Sequence, residues 1–212
     1  KIIPALSDTS ELIEFSHRSV SGVLLVVTLI IFAKTRKFQK DSLVRIVTNY
    51  LTFFVIFEAL IGAVIVIFEW VGLNSSLPRI IAVPIHLVNT FGLLGSYAIL
   101  YKILQDDLQN IKNMFNKNFL LISSLFLLSG ATGSITALAD VLFPSASFVE
   151  GFLADFDRTS EVLTRLRILH PIISSALSIV LYVYATGIRK KYNVKVKTLQ
   201  TLIPVSYTHL TL

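Results

Sequence analysis

The chain has 212 residues, enough for one or two ordinary domains, but its composition is not that of a soluble domain. Apolar residues make up 54% and charged residues 15% of the chain, whereas soluble chains carry about 25% charged residues. The mean hydropathy is +0.73. Cysteine is absent, which excludes disulfides, thiolate metal sites and thiol nucleophiles. The composition therefore favours an integral membrane protein.

Five apolar stretches approach or exceed the roughly 20 residues that a helix needs to cross a bilayer. They cover residues 16–33, 46–68, 80–101, 119–139 and 167–188. Helices are required because an unpaired backbone amide in lipid costs several kcal/mol, and because these runs lack the polar alternation of membrane barrel strands. The β-branched run at residues 23–31 is subject to the same requirement. The sequence predicts an all-α, polytopic membrane helical bundle with five spans.

Basic residues predict which connections are cytoplasmic. Of the 19 lysines and arginines, 13 follow the first, third and fifth spans. These are Lys34, Arg36, Lys37, Lys40, Arg45, Lys102, Lys112, Lys117, Arg189, Lys190, Lys191, Lys195 and Lys197. The N-terminus is therefore expected outside. The net charge of +6 is explained as a topology signal, and no nucleic-acid partner is predicted, because no soluble basic face is present.

Residues 1–198 are predicted to form one transmembrane helical domain, with a long external loop at 140–166. Phenylalanines and acids alternate in this loop and predict an interfacial helix around residues 147–156. Because the chain starts at Lys1 on the outside, an earlier span is expected to precede it. Residues 199–212 begin a further apolar helix and end in an adaptor-like tail, similar to a translated sequencing adaptor, that includes His209.

Three histidines lie near the starts of the odd-numbered spans: His17, His86 and His170. These spans all enter from outside, so the imidazoles are expected at similar depth near the external face. One such histidine is commonly a hydrogen-bonded interface residue, but three at matching depth favour a metal site. With no cysteine and a single methionine, they suit haem iron better than structural zinc, which normally takes four ligands.

Charged residues near these histidines extend the predicted site. Glu14 precedes His17 by three residues and shares its helix face, where a carboxylate can orient an imidazole or hold a proton. The alternative is a solvated acid that favours the helix N-terminus. Four arginines at the same level could bind haem propionates or lipid headgroups. They are Arg18, Arg79, Arg165 and Arg167.

Glu58 lies in the middle of the second span, where an isolated carboxyl is expensive. It is therefore expected to face the bundle, protonated or paired. One hypothesis is a transporter in which Glu58 binds a proton and the three histidines are dispensable. Several glycines in the spans predict close helix packing. They are Gly62, Gly92, Gly95, Gly130 and Gly133.

Four blocks of sequence resemble the haem A synthase family, in the family's order. The segment EFSHR at residues 14–18 is similar to the family's ExxHR motif, and IHLVNT at 85–90, followed by LLG at 93–95, resembles its second histidine helix. The run GATGSITALADVLFP at 130–144 is similar to the exit of the family's fifth helix. RLRILHP at 165–171 resembles its third histidine motif. The resemblance covers about residues 10 to 190.

The resemblance implies an eight-helix protein of two pseudo-repeated four-helix halves, of which this chain holds the second to sixth helices. His17 and His86 would form the histidine pair of the N-terminal half, where the substrate haem O is handled, and Glu14 would be the motif glutamate. His170 would be an axial ligand of a haem b cofactor, with its partner on the eighth helix. The implied reaction is the oxidation of a haem O methyl group to a formyl group, giving haem A for terminal cytochrome oxidase.

Further expectations follow from the resemblance. The partners would be haem O, the farnesyltransferase that produces it, an electron donor and the lipid bilayer, and the protein could be a homo-oligomer. The chain is placed with the cysteine-free members, in a bacterial or archaeal plasma or inner membrane rather than a mitochondrial one. The family often has Gln where Glu58 stands. From residues alone, a bis-histidine membrane cytochrome that only transfers electrons is equally permitted.

Overall fold

The computed structural model describes residues 9–105 and 116–192. The chain divides into two compact units, residues 1–110 and 111–212. Within the described ranges the chain forms helices and short connections, and no strand is present there. Each unit carries its own histidine environment.

The first unit contains helices α1 (Thr9–Thr35), α2 (Leu43–Ile67) and α3 (Leu77–Leu104). Helix α2 packs against both α1 and α3, with Thr48 and Leu51 fully buried in the contact. The Thr28 hydroxyl on α1 forms a 2.5 Å hydrogen bond with the Tyr97 hydroxyl on α3, so these two helices are also joined directly. The three helices therefore form one bundle that brings α1 and α3 within side-chain reach.

The second unit contains α4 (Lys117–Leu142), α5 (Phe148–Phe156), α6 (Val162–Leu166) and α7 (Leu169–Tyr192). Helix α4 packs against α6 and α7, and α5 packs against α6. Two side chains cap helix starts: Asn116 Oδ1 accepts from the Phe119 amide at 2.9 Å, and Ser147 Oγ accepts from the Glu150 amide at 3.2 Å. Helix α5 falls where the sequence predicts an interfacial helix.

A short break separates α6 from α7, and Pro171 explains it. Proline has no amide hydrogen, so Pro171 cannot donate to the carbonyl of Arg167 four residues earlier. That carbonyl instead accepts from the His170 amide at 3.1 Å and from the Thr136 hydroxyl at 3.5 Å. The break thus keeps its backbone oxygen satisfied and sets His170 at the start of α7.

Five helical segments are long and apolar enough to cross a membrane: Leu12–Thr35, Leu43–Ile67, Leu77–Leu104, Lys117–Leu142 and Val162–Gly187. The first is longer than the predicted span at 16–33, and the last runs through α6 and α7. Residues 23–31 are helical within α1 despite their β-branched side chains. These findings confirm the predicted all-α fold with five candidate spans. The further helix and tail predicted at 199–212 lie outside the described residues.

The surfaces of these helices are apolar, as expected for contact with lipid. On α1, Val20 and Val23 are 69% and 65% exposed. On α5, the phenylalanines at 148, 152 and 156 form a run of neighbouring rings, and Phe148 is 87% exposed. Exposed apolar side chains of this size on long helices are typical of a multi-pass membrane protein.

Candidate functional site

The three predicted histidines all lie in the first half of their candidate spans. His17 lies eight residues after the first residue of α1, Thr9, and His86 lies nine residues after the first residue of α3, Leu77. His170 lies eight residues after Val162, where the fifth candidate span begins. At about 1.5 Å per residue, His17 is roughly 8 Å from the start of its candidate span at Leu12, and His86 is roughly 14 Å from the start of its span at Leu77.

The structure brings His17 and His86 together within the first unit. Their ring centroids are 6.5 Å apart and their planes meet at 81°. A bond from imidazole nitrogen to a metal ion is about 2 Å long, so two axial imidazoles on one ion have centroids about 6 Å apart. The pair therefore has a spacing that suits two ligands of one iron atom.

Glu58 on α2 contacts the turn of α3 that carries His86. Asn89 Nδ2 donates to Glu58 Oε2 at 2.5 Å, and the Thr90 hydroxyl is hydrogen-bonded to Glu58 Oε1. His86 Nδ1 lies 3.4 Å from Glu58 Oε1, within ion-pair distance but without hydrogen-bond geometry. This nitrogen is buried and makes no hydrogen bond to any residue that the structure describes. Glu58 thus faces the bundle, as predicted, and its hydrogen-bond partners lie on the histidine helix.

Glu14 and Arg18 form an ion pair across one turn of α1, and His17 lies between them in sequence. Both side chains are 54% exposed, so the pair is worth at most about 1 kcal/mol in stability. The spacing of three residues puts Glu14 and His17 on one face of α1. Arg18 is engaged with this carboxylate.

Arg79 organises the connection between α2 and α3. Its Nη1 donates to the carbonyls of Gly72 and Asn74 at 2.6 and 2.7 Å. Gly72 has a φ of 61°, a conformation that glycine adopts without the strain of a Cβ atom. Arg79 Nε is buried and has no hydrogen-bond partner among the described residues. This donor can therefore serve an additional acceptor, such as a carboxylate.

His170 is held in the second unit by neutral groups. Its Nδ1 lies 3.1 Å from the Ser129 carbonyl oxygen and 3.4 Å from the hydroxyls of Thr132 and Ser174. A carbonyl can only accept, so Nδ1 carries the proton in that contact and Nε2 remains available as a metal ligand. A Cβ placed on Gly133 would lie 2.9 Å from His170 Cε1, so the glycine makes room for the ring.

Arg167 is buried, 8% exposed, and its guanidinium is occupied by protein groups. Asp155 accepts from Nε and Nη2 at 2.8 Å, Asp140 accepts from Nη1 at 2.7 Å, and the Gly151 carbonyl accepts from Nη2 at 3.1 Å. These contacts tie the end of α4, the helix α5 and the α6–α7 break into one corner three residues before His170. Arg165, two residues earlier, is exposed.

The family scan matches nearly the whole chain. Residues 6–210 match the cytochrome oxidase assembly proteins designated COX15-CtaA, the haem A synthases. The chain belongs to the haem A synthase family.

Two curated proteins are similar to this family member. Both are named protoheme IX farnesyltransferase, and they come from two strains of Thermus thermophilus. Each is 35% identical over 193 residues, which is 88% of this chain and 31% of the relative. The chain therefore spans about a third of the length of these relatives. No solved structure matches it.

Membership of the haem A synthase family implies a haem, and the donor set fits one. Among the described residues no three or more His, Asp or Glu side chains converge on a point where they could hold a bare metal ion. A haem needs only one or two protein ligands, which His17, His86 and His170 can supply. Two buried nitrogens on α3, Arg79 Nε and His86 Nδ1, have no hydrogen-bond partner among the described residues.

Sequence reasoning missed several residues that surround the histidines. Asn89 and Thr90 join Glu58 to the His86 turn, while Ser129 and Ser174 hold the His170 ring. An asparagine inside an apolar helix is a detectable signal, because a buried amide in lipid needs a partner. The serines and threonines give no such signal, since hydroxyls commonly bond within their own helix.

Proposed function

We propose that the intact protein oxidises a ring methyl group of haem O to a formyl group and so makes haem A. The His17–His86 pair, with its 6.5 Å centroid spacing in a chain of this family, carries the proposal. With O2 as the oxidant, each hydroxylation replaces one C–H bond of the methyl carbon by C–OH, and the second oxygen atom leaves as water with two electrons from the electron donor and two protons. Loss of water from the doubly hydroxylated carbon then gives the formyl group.

In this proposal His17 and His86 bind the iron of the substrate haem O and fix the porphyrin relative to the chain. Glu14 is placed one turn from His17 on the same helix face, where it can hold a proton beside the reacting methyl group. Arg18 pairs with Glu14 and compensates its charge in a partly apolar setting. The two histidines position the substrate, and the glutamate provides acid–base chemistry.

His170 is proposed as an axial ligand of a haem b cofactor. When bound, this haem supplies one-electron transfer. By accepting from His170 Nδ1–H, the Ser129 carbonyl would leave Nε2 free to hold the haem. Of the four arginines predicted to meet propionates, Arg79 and Arg165 have unused capacity, whereas Arg18 and Arg167 are already paired with carboxylates. Propionate contact is therefore assigned first to Arg79 and Arg165.

The proposed location is the plasma or inner membrane of a bacterial or archaeal cell, with the three histidines near the external face. The distribution of Lys and Arg supports this orientation. A reporter that is active only outside, fused at the α2–α3 connection, is expected to be active, and the same reporter at the α1–α2 connection inactive. The reverse pattern would contradict the orientation.

A farnesyltransferase that makes haem O is the proposed partner. The support is that a segment similar to this chain makes up 31% of a longer protein that is itself named a farnesyltransferase. Direct transfer of haem O between two membrane proteins would avoid its release into the bilayer. Crosslinking in native membranes is expected to join the two proteins. Free diffusion of haem O predicts no crosslink and unchanged haem A yield when the two are expressed at low density.

The reaction is tested with the complete gene in cells that make haem O but no haem A. The haems are extracted and separated by chromatography. Haem A, or its hydroxylated intermediate, is the expected product. Bound haem b without oxidised haem O would instead identify a bis-histidine electron carrier. Absence of any haem would contradict both functions and leave the Glu58 transporter hypothesis.

The role of Glu14 is tested by Glu14→Gln, which keeps the side-chain size and removes the charge. We expect normal haem content and impaired oxidation, because His17 keeps its ring position while the proton-holding group is lost. Arg18→Gln is the matched control for loss of the ion pair. Loss of haem in Glu14→Gln would show that the carboxylate is structural.

A further inference from the structure

We propose that Glu58 is a positioning residue for His86, through a carboxylate that the histidine helix itself holds in place. The inference rests on the proposed role of His86 as an iron ligand and deepens it. Glu58 would not touch the haem. It would fix which nitrogen of the His86 ring faces away from the protein and in which plane the ring lies.

The placement of Glu58 on α2 requires an explanation. It lies fifteen residues after Leu43 in a helix that ends at Ile67, far from either end, and its side chain is 17% exposed. Neighbouring side chains face outward, as the 59% exposure of Leu60 shows. A carboxyl at this depth costs several kcal/mol unless polar groups surround it. The α3 helix supplies those groups.

The partners of Glu58 form one patch on α3. His86, Asn89 and Thr90 are spaced by three and four residues, so they share a helix face. Asn89 Nδ2 donates to Glu58 Oε2 at 2.5 Å and lies 2.9 Å from the Phe54 carbonyl oxygen on α2. The Thr90 hydroxyl contacts Glu58 Oε1 and lies 3.0 Å from the His86 carbonyl oxygen. Asn89 and Thr90 therefore fix both carboxylate oxygens without any contribution from the imidazole.

The fixed carboxylate of Glu58 places an acceptor oxygen beside a ring nitrogen of His86 that makes no hydrogen bond among the described residues. Glu58 Oε1 is 3.4 Å from His86 Nδ1, which has no hydrogen-bond partner among the described residues. A small reorientation of the ring that directs Nδ1–H at Oε1 would make the hydrogen bond. With Nδ1–H directed at Oε1, the lone pair of Nε2 is left for iron, as in carboxylate–histidine–metal arrangements.

Gly62 supports the same geometry from the next turn of α2. A Cβ placed there would lie 3.9 Å from His86 Cε1, an ordinary van der Waals contact. The α2 surface thus offers the His86 ring a carboxylate on one side and a small residue on the other. The ring can rotate toward Oε1 without meeting a bulky neighbour.

The test measures haem O binding to the haem-depleted, full-length protein, with His170→Ala in every sample so that the second site is silent. Glu58→Leu is expected to weaken haem O binding roughly 10- to 100-fold, as loss of partners behind metal ligands does. It should also change the low-spin ferric electron paramagnetic resonance signal, which reports the planes of the axial imidazoles. Glu58→Gln keeps an acceptor and should restore much of the affinity.

Asn89→Ala, which frees the carboxylate without removing it, should give a smaller loss in the same direction. Thr52→Ala on α2 and Ser96→Ala on α3 are the matched controls, because each removes a buried hydroxyl bonded to its own helix. Both controls should bind haem O within about twofold of the parent protein.

The outcomes separate this inference from the proposed function. If His86→Ala weakens binding but Glu58→Leu, Glu58→Gln and Asn89→Ala leave both affinity and resonance signal unchanged, Glu58 has no positioning role. If the Glu58 and Asn89 variants lower the thermal midpoint alone, the carboxylate only fastens α2 to α3, which also overturns the inference. If His86→Ala itself binds haem O normally, the ligand assignment fails.

Discussion

The two units of the chain hold their histidines by different chemistry. In the first unit, His86 faces a carboxylate that is fixed by an amide and a hydroxyl, and its Nδ1 is not hydrogen-bonded among the described residues. In the second unit, the His170 ring lies against a backbone carbonyl and two hydroxyls, with a glycine beside it. A charged acceptor makes an imidazole a stronger electron donor than a neutral one does. The proposed function gives these two histidine environments separate tasks.

The largest effects are expected from removing the histidines themselves. His17→Ala and His86→Ala should abolish haem A formation, because each removes a ligand of the substrate haem. His170→Ala should instead remove the haem b signal. Membrane insertion should be unchanged in all three variants, since a span tolerates alanine. Spectra and extracted haems of the intact protein distinguish the sites, and normal haem A in either of the first two variants would refute that pair.

The next largest effect is expected from Arg167→Ala, which should lower the stability and the haem content of the second unit only. Arg167→Ala leaves Asp155, 13% exposed, and Asp140, 57% exposed, without their cation. We expect a loss of about 2 to 3 kcal/mol, less than for a fully buried pair because Asp140 is solvated. Haem b should be lost from the His170 site while haem O binding is retained. Thermal unfolding in detergent and haem spectra measure these effects.

Arg165→Ala is the matched control for Arg167, because its side chain is exposed two residues away. It should change the free energy of unfolding by less than about 0.5 kcal/mol. If Arg165 contacts a propionate, as proposed, its loss should weaken haem binding without lowering the stability of the haem-free protein. Equal destabilisation by both variants would contradict the contrast drawn from the structure.

The glycines beside the two rings provide a smaller and sharper test. Gly133→Ala places a methyl group 2.9 Å from His170 Cε1, whereas Gly62→Ala places one 3.9 Å from His86 Cε1. The first should force the ring to move, at about 1 to 3 kcal/mol, and perturb the haem b spectrum. The second should leave the haem O site intact. If Gly62→Ala perturbs the haem O spectrum while Gly133→Ala leaves the haem b spectrum unchanged, the expected contrast between the two glycines is wrong.

The smallest effect concerns the connection between α5 and α6. Hydrogen bonds from the Thr159 amide and hydroxyl, both 2.8 Å, lower the pKa of the exposed Asp157 carboxyl. Because the folded pKa is lowered, this stabilisation is present above about pH 4 and is lost as pH falls through the folded value. Asp157→Asn should lower the thermal midpoint slightly at pH 7, and this difference should shrink as the pH falls below about 4. His170 haem spectra should not change at either pH.

The spans and the family could be predicted from the sequence because lipid imposes helices on long apolar runs. The close packing predicted at glycines is found at Gly92, where a Cβ would lie 2.7 Å from the Phe54 ring. At Gly133 the neighbour is a histidine ring, a role that the packing argument did not foresee. No periodicity indicated which turn of α2 faces α3, so the Glu58 contacts with Asn89 and Thr90 could not be anticipated.

The arginines also show what could not be predicted from the sequence. Arg165 and Arg167 carry equal charge two residues apart, and sequence reasoning treated them alike. The structure buries one and exposes the other because α6 ends at Leu166 and the chain turns before Pro171. Which arginine meets Asp140 and Asp155 depends on that turn. A charge at the level of a haem edge is therefore not sufficient to assign a propionate contact.

The Arg167 corner also has a consequence for the order of synthesis. The side chains and carbonyl that its guanidinium binds, on Asp140, Gly151 and Asp155, all precede it in the chain. The Ser129 carbonyl and Gly133, which meet the His170 ring, precede it too. The ribosome releases every one of these groups before α7 is complete. The corner can thus close while the fifth candidate span is still entering the membrane, and His170 then meets a carbonyl and a glycine that are already in place on α4.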